Sequence, residues 1–495
     1  MNEAVAEPRV WPVGPRALAG LGLVAVLAWL ILPTAPNYDT ASHLVWSHEL
    51  LAGRAPDVEY AASPTMHPLW LVAALIAALT GGGASLLQLV TLLSLMMVVA
   101  CAYRLAADVA GRIAGIVAAV ASGSSFALLL LAFKAYVDMP FLAVVLTAVV
   151  VERAWSAATR VEPAGGSAGL GGAERRNSPP REGVIRRSAA GEPAGLTRRT
   201  SELNMPLLML VAGLLRPEAW AIGLLFVGLR LVRGAAARSL VVPALIVLAA
   251  PVIWALFDFA LTGDPMHSLT GTQALAEELG RKTGLANAPK ELIVQLSDLA
   301  RPPIAAAGVL GVVLALQLAG LRRLLIPIIT LGASAVGFLL VGALGLPLLQ
   351  RYLQLPAILL CVFAGIATAV IVAAARGRRL AYGGAQAESV RGNEVAGPDP
   401  ASPAPSSGVP SAALRVLATS ALIVGVVGAV GYLALKADSF RIVGQGVLNE
   451  ADWQRDGARL LDDPAVVRAA RCGPTTLPTY RFIPELTLRA DRDAG

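Results

Sequence analysis

Most of the side chains able to do chemistry fall in four short segments of this 495-residue chain. The first reads from Asn37 to Leu69 and holds Asp39, His43, His48, Glu49, Asp57, Glu59 and His67. The second, Phe133 to Pro140, holds Lys134, Tyr136 and Asp138. In the third, Gly213-Leu214-Leu215-Arg216-Pro217-Glu218, a cation and an acid flank a proline. The fourth, Gln350 to Pro356, opens on Arg351-Tyr352. Carboxylates take protons from hydroxyl groups. Guanidinium and ammonium groups hold anionic oxygens, and imidazoles and phenols hydrogen-bond to hydroxyls.

No Gly-rich phosphate loop, paired CxxC, Ser/His/Asp motif or solenoid repeat accompanies these segments. Cys101, Cys361 and Cys472 stand singly, without a disulfide framework or metal-ligand spacing. The chemistry is therefore sought in the four segments themselves.

What must position them is a membrane. Hydrophobic residues make up 56% of the chain and charged ones 15%, against roughly 25% charged in soluble domains. Lys is nearly absent, so the net charge of +7 rests on Arg, as in a chain from a GC-rich genome. The basic residues cluster in loops, the pattern of the positive-inside rule, and point away from nucleic acid. The first apolar run ends without a small-x-small cleavage site and reads as a retained span.

Hydropathy places spans near 17–34, 84–103, 113–133, 139–154, a Pro-interrupted pair over 205–232, then 240–262, 303–320, 324–344, 355–375 and 412–435. That gives about eleven helices in an all-α polytopic fold. The stretch His67 to Thr80, at about 14 residues, is too short to cross and reads as a juxtamembrane or re-entrant helix. With it kept on one side, Arg104, Arg112, Arg153, Arg230, Arg233, Arg238, Arg322, Arg323 and Arg376 all fall inside. The amino terminus is then cytoplasmic, the carboxyl terminus outside, and all four histidines are exterior. Polar groups gathered at one face mark a working surface.

The organisation read from this pattern is an N-terminal membrane module, 1–154, with a first exterior loop at 35–83. A disordered cytoplasmic loop follows at 155–204, then a central membrane module, 205–375, with an exterior loop at 263–301. Residues 376–411 form a second disordered cytoplasmic loop, 412–435 the last span, and 436–495 a small exterior tail. Trp453, Tyr480 and Phe482 are expected to pack that tail onto the membrane part. The 263–301 loop is expected to carry one short amphipathic helix over the site as a lid, and Trp46, Trp70 and Trp220 to be interfacial anchors.

Read together, Asp39 just past the first span, His43, Gly53, His67-Pro68-Leu69, Asp138, Arg216-Pro217-Glu218 and Arg351-Tyr352 resemble the pattern of GT-C glycosyltransferases such as protein O-mannosyltransferases and aminoarabinose transferases. Many members have paired acids where this chain has Asp39-Thr40. The resemblance implies an integral-membrane enzyme of the plasma membrane that moves a sugar from a polyprenyl-phosphate donor to an envelope glycan, lipid or protein on the extracytoplasmic face. The Ala- and Arg-rich composition points to an actinobacterial envelope.

It further implies Asp39 as general base and Asp138 as its catalytic partner, holding the acceptor or a cation. Arg351, Lys134 and Arg216 are expected at the donor phosphate, and His43, His67, Glu218, Tyr352 and Tyr136 at the sugars. No cofactor is expected; a divalent ion shared by the two aspartates, as in oligosaccharyltransferases, is the less favoured alternative. Direct inversion is the implied course, since retention needs a second carboxylate about 5 Å from the first. The competing readings are a secondary transporter or lipid-sugar flippase and a non-catalytic scaffold of envelope assembly.

Overall fold

The computed structural model describes residues 12–58, 63–158, 194–377 and 411–470, with positions 483, 484 and 487. Glu59, Cys472, most of the two loops read as disordered, and Tyr480 and Phe482 lie outside the described residues. Within them every regular element is helical.

The chain runs through α1 (Pro15–Ile31), α2 (Tyr38–Leu51), α3 (Pro68–Leu79), α4 (Gly83–Gly123), α5 (Phe126–Phe133) and α6 (Asp138–Ala158). The central part holds α7 (Ala194–Leu215), α8 (Ala219–Val232), α9 (Ala237–Thr262), α10 (His267–Glu278), α11 (Ala288–Ala300), α12 (Pro302–Ala319) and α13 (Leu321–Ala343). A 3-10 turn, Gln350–Leu353, leads into α14 (Gln354–Ala375), followed by α15 (Ala412–Asp462) and α16 (Pro464–Ala470). Seven of these helices are long and apolar enough to cross a bilayer, and four shorter apolar ones span Pro15–Ile31, Pro68–Leu79, Leu203–Leu215 and Ala219–Val232. At 12 residues α3 is about 18 Å long, well short of a bilayer core.

Two of the expected spans share α4. Its Ala110 (φ −129°, ψ 18°) and Gly111 (φ 81°, ψ −173°) leave helical geometry, and glycine accepts that positive φ without strain. A Cβ on Gly115 would lie 2.8 Å from the Tyr103 ring, whereas residues twelve apart on a straight helix are about 18 Å apart. The chain therefore doubles back at Gly111, and the two arms pack on each other.

The Pro-interrupted pair is likewise a hairpin. A Cβ on Gly223 would sit 3.0 Å from the Met209 Cβ, so α7 and α8 lie side by side with Arg216-Pro217-Glu218 at the bend. Proline has no N–H with which to continue α7. The bend returns α8 alongside α6: Arg216 pairs with Asp138 and Arg230 with Glu152, both at an offset of 78 residues. Two ion pairs with one offset mean that α6 and α8 run parallel and in register, one pair about 21 Å above the other. The upper pair belongs to the site. The lower pair, 2.5 Å between Arg230 Nη2 and Glu152 Oε2, sits among the basic residues: Arg230 stacks 4.2 Å over Trp155 and Arg153 donates to the Leu105 carbonyl.

Helix α14 is the central post, almost wholly buried from Gln354 to Ala369. It admits its neighbours through glycine. A Cβ on Gly308 of α12 would come within 2.7 Å of the Leu360 carbonyl oxygen, and one on Gly311 or Gly365 would strike the backbone of Phe363 or Ala114. Such close approach supplies the dispersion energy that drives helix association where apolar burial in lipid gives little.

Three expectations are corrected. The 263–301 region folds as two helices, α10 and α11, not one, because Gly280 and Gly284, both at positive φ, break the run. The last helix does not stop near 435: α15 is 51 residues long, about 75 Å, and carries Lys436 onward as helix. Its Phe440 packs on Phe126 at 5.9 Å and its Ala451 is buried with Ala35 and Phe133, while Trp453 is 66% exposed and packs nothing down. Trp46 and Trp70 are buried core residues, 0% and 1% exposed, not interfacial anchors. Their indole N–H groups are used inside the protein, on the Asp57 carbonyl at 2.6 Å and the Thr40 hydroxyl at 3.1 Å.

Candidate active site

The site begins with a polar seam that fixes the first exterior segment to the α5–α6 turn. Asn37 caps α2 by accepting from the Thr40 N–H and donates its own backbone and side-chain N–H groups to the Lys134 carbonyl. The Thr40 hydroxyl donates to the Ala135 carbonyl at 2.6 Å, and Gln88 and Thr91 of α4 donate to the carbonyls of Phe133 and Ala132. These bonds hold Ala135 at φ 55°, an unusual region for a residue with a side chain, of the kind kept where surroundings over-determine the backbone. The distortion turns the chain so that Tyr136 and Asp138 face the same space as Asp39. Thr40 serves this seam through a donated hydroxyl proton that an ionised carboxylate would lack.

Four elements distant in sequence then meet. Arg351 Nη1, on the 3-10 turn, lies 3.0 Å from Asp39 Oδ2, in the first turn of α2. Both side chains keep solvent contact, 27% and 24% exposed. Beneath them Arg216 pairs with Asp138, at 5% and 1% exposure, and its Nε reaches Glu218 Oε1 at 2.7 Å. The Tyr352 ring meets both guanidinium groups, 4.8 Å from that of Arg216 and 5.8 Å from that of Arg351; the Phe141 ring lies 5.3 Å from that of Arg216. The second Asp138 oxygen and the Arg351 Nε are buried without a hydrogen-bond partner among the described residues. Unspent hydrogen-bonding capacity on a buried carboxylate and a guanidinium is rare in folded proteins.

The histidines line one wall. His43 is fully buried. Its Nδ1 lies 2.6 Å from the Asp39 carbonyl and its Nε2 accepts the His67 backbone N–H at 2.9 Å, a pattern that only the neutral Nδ1–H tautomer satisfies. The two rings stack at 5.7 Å, and His67 meets Trp254 of α9 edge-on at 5.6 Å. Burial lowers the His43 pKa to about 4, and burial followed by the neighbouring His43, Arg216 and Arg351 charges lowers that of His67 as well. Burial, then the Asp39 charge, raises the Tyr136 phenol, which stays protonated as a donor.

This has a measurable sign. The unfolded chain binds protons at histidine near pH 6.5 while folded His43 resists them down to about pH 4. Its stabilising contribution is whole above pH 6.5 and is lost as pH falls toward 4, by about 1.4 kcal/mol per unit for the proton taken up. Thermal unfolding of the detergent-solubilised protein is expected to show this acid slope, and His43→Asn to flatten it. An unchanged slope in that variant rules out His43 as its source.

Of the residues singled out by sequence, Asp39, Asp138, Arg216, Arg351, Tyr136, Tyr352, His43, His67 and Glu218 share one region. Lys134 lies on its flank, its ammonium 2.6 Å from Glu450 of α15. Glu450 is a residue that sequence reasoning missed, because it falls in a stretch read as tail. Gln454 of the same helix donates to the Pro36 carbonyl at 3.1 Å, so the distal part of α15 lies against the edge of the site. His48 ends exposed on α2. Among the described residues no three His, Cys, Asp or Glu side chains converge as a metal ion would require.

No protein-family model matches this chain, and no curated protein matches it. Solved structures similar in backbone arrangement include ArnT from Cupriavidus metallidurans bound to undecaprenyl phosphate, at 15% identity and a TM-score of 0.46 over 89% of this chain and 74% of that one. The apo state of ArnT gives 16% and 0.46 over 88% and 73%. The archaeal oligosaccharyltransferase AglB from Archaeoglobus fulgidus, in complex with an inhibitory peptide and a dolichol-phosphate, gives 12% and 0.43 over 96% and 63%.

Proposed function

We propose that this protein is an integral-membrane glycosyltransferase that moves a sugar from a polyprenyl-phosphate donor to a hydroxyl-bearing acceptor at the outer face of the membrane. The observation that carries this reading is the partly exposed Asp39–Arg351 pair standing over a buried Asp138–Arg216 pair. It sets a proton acceptor beside an anion binder, and both are what phosphate departure and hydroxyl attack need.

In the reaction the acceptor O–H gives its proton to Asp39 and its oxygen forms a bond to the anomeric carbon. The bond from that carbon to the phosphate oxygen breaks, and the electron pair leaves on the polyprenyl phosphate. Arg351, with Arg216 and Lys134 behind it, meets the charge that develops on the leaving oxygen. One Asp39 oxygen is held by Arg351 before the donor arrives. When the phosphate takes over that guanidinium the oxygen is released to act as base, so donor binding precedes proton transfer. A single base acting from one face implies inversion.

Lys134 undergoes a similar exchange, leaving Glu450 for the phosphate. Glu450→Gln is expected to lower the donor KM by about threefold, the size of a partly exposed ion pair, and to steepen its rise with salt, because Lys134 is then free to attract the phosphate. A KM unchanged across ionic strengths removes Lys134 from the donor site.

The test of function is direct. The protein in lipid nanodiscs is supplied with polyprenyl-phosphate sugars, and free polyprenyl phosphate is followed by mass spectrometry, together with the lipid-linked sugars that accumulate in a deletion strain. Release of the lipid phosphate coupled to a new glycosidic product is expected. Ion-coupled uptake of a solute into proteoliposomes with no such release establishes the transporter reading instead.

A further inference from the structure

A cavity of about 380 Å³ lies between the loop before α3 and the junction of α9 with α10. Its wall is contributed by Ser63, Thr65 and Met66 on one side and by Asp258, Ser268 and Thr272 on the other, with His267 and an exposed Glu278 completing the polar lining. It adjoins His67 by two routes. Residue 66 is followed by His67, and Asp258 stands one turn along α9 from Trp254, whose ring meets His67.

The lining differs in kind from the first site. Three guanidinium or ammonium groups serve the Asp39 region, whereas among the described residues no Lys or Arg lines this cavity, which has two carboxylates, one imidazole and five hydroxyls. A phosphate would meet only negative or neutral groups here. Its hydroxyls are held in a fixed order. Thr272 donates to the Ser268 carbonyl at 2.6 Å, so the 2.8 Å bond between Thr65 and Thr272 has Thr65 as donor and leaves the Thr65 lone pairs available. Both Asp258 oxygens are taken by Ser268, through its N–H and its hydroxyl, each at 2.8 Å. The Ser63 Oγ is buried with no hydrogen-bond partner among the described residues. Apolar Met66, Leu261 and Leu275 complete the surface. Apolar patches interleaved with oriented acceptors and a spare hydroxyl fit the two faces of a sugar ring, and the volume is that of a small-ligand pocket.

We infer that this cavity is the acceptor site and that it takes a neutral, polyhydroxylated group, a carbohydrate, whose reacting hydroxyl is presented past His67 toward Asp39. The assignment as acceptor rests on the transferase reading. It divides the protein electrostatically: the anionic donor phosphate belongs to the arginine side and the uncharged sugar acceptor to the acidic, hydroxyl-lined side.

The experiment uses the full chain in nanodiscs with Thr272→Cys in a Cys472→Ser background, and Ser63→Cys as an independent reporter on the opposite wall. Labelling by a cationic trimethylammonium thiosulfonate is expected to outpace that by its anionic sulfonate analogue by about tenfold, given two nearby carboxylates. A panel of neutral gluco-, manno-, galacto- and arabino-oligosaccharides supplied without donor is expected to include at least one that slows labelling at both positions, whereas inorganic phosphate and polyprenyl phosphate leave it unchanged. Equal labelling by the two reagents, or protection only by polyprenyl-phosphate sugar, overturns the assignment, the latter making the cavity a donor pocket. Failure of the transferase reading appears separately, as wild-type protein that releases no polyprenyl phosphate. An active enzyme whose reporters no free sugar protects disproves the acceptor site alone.

Discussion

Replacement of Asp39 by Asn is expected to lower sugar transfer by about three orders of magnitude while the protein inserts and unfolds as the wild type does. General-base catalysis is worth about 10²–10⁴ in rate. The amide keeps the shape and the hydrogen-bond acceptor toward Arg351, 3.0 Å away, and loses only the ability to take a proton. The split between kinetic constants separates chemistry from binding. If Asp39 is the base, kcat falls and the donor KM changes little; a risen KM with kcat intact makes it a ligand for substrate. Full activity in the variant eliminates it as the base. Partial exposure favours this test, since a 24% exposed side chain on the first turn of α2 supports little of the core.

Asp138→Leu is expected to do the opposite, destabilising the fold by about 3–5 kcal/mol, because it strands a buried guanidinium. Arg216 is only 5% exposed and would retain Glu218, whose side chain is 39% exposed and a weaker partner for a charge at that depth. The double variant Asp138→Leu/Arg216→Leu removes both charges and is expected to recover most of the loss. Thermal unfolding in detergent across the four proteins gives the coupling energy. Additive effects of the two substitutions would dismiss the pair as a structural unit. The same double variant is expected to stay inactive, since Arg216 also supports Arg351 through the shared Tyr352 ring.

Several parts of this arrangement are legible in the residue order. Apolar runs, the basic loops and Pro217 foretell helices, their ends and the bend between α7 and α8. The position of Asp39 after the first span, and of Arg351 opening a late one, marks candidate residues. The reversal at Gly111 is read from the polar loop around Arg104 to Arg112, and Ala110 and Gly111 leave helical geometry there. Glu450 was not legible, because a charged residue in a mixed-charge segment has no periodic signature, and its role arises only when α15 continues past the span and leans on Lys134. The burial of Trp46 and Trp70 was hidden for a similar reason. Indole prefers interfaces in general, but here Asp57 and Thr40 supply acceptors inside.

Residue order alone sets the class of structure and its solvent, since a run of some twenty apolar residues has few options other than a helix in lipid. It also determined which polar side chains stand outside those runs. Pairing was decided only by the tertiary structure. That Arg351 faces Asp39 across 312 residues, that Arg216 rather than Lys134 lies under Asp138, and that the hydroxyl-lined cavity opens beside His67 all follow from helix register and close packing at Gly308, Gly311 and Gly365. Register depends on how side chains interlock between helices, a property of pairs of surfaces that no single stretch of chain contains.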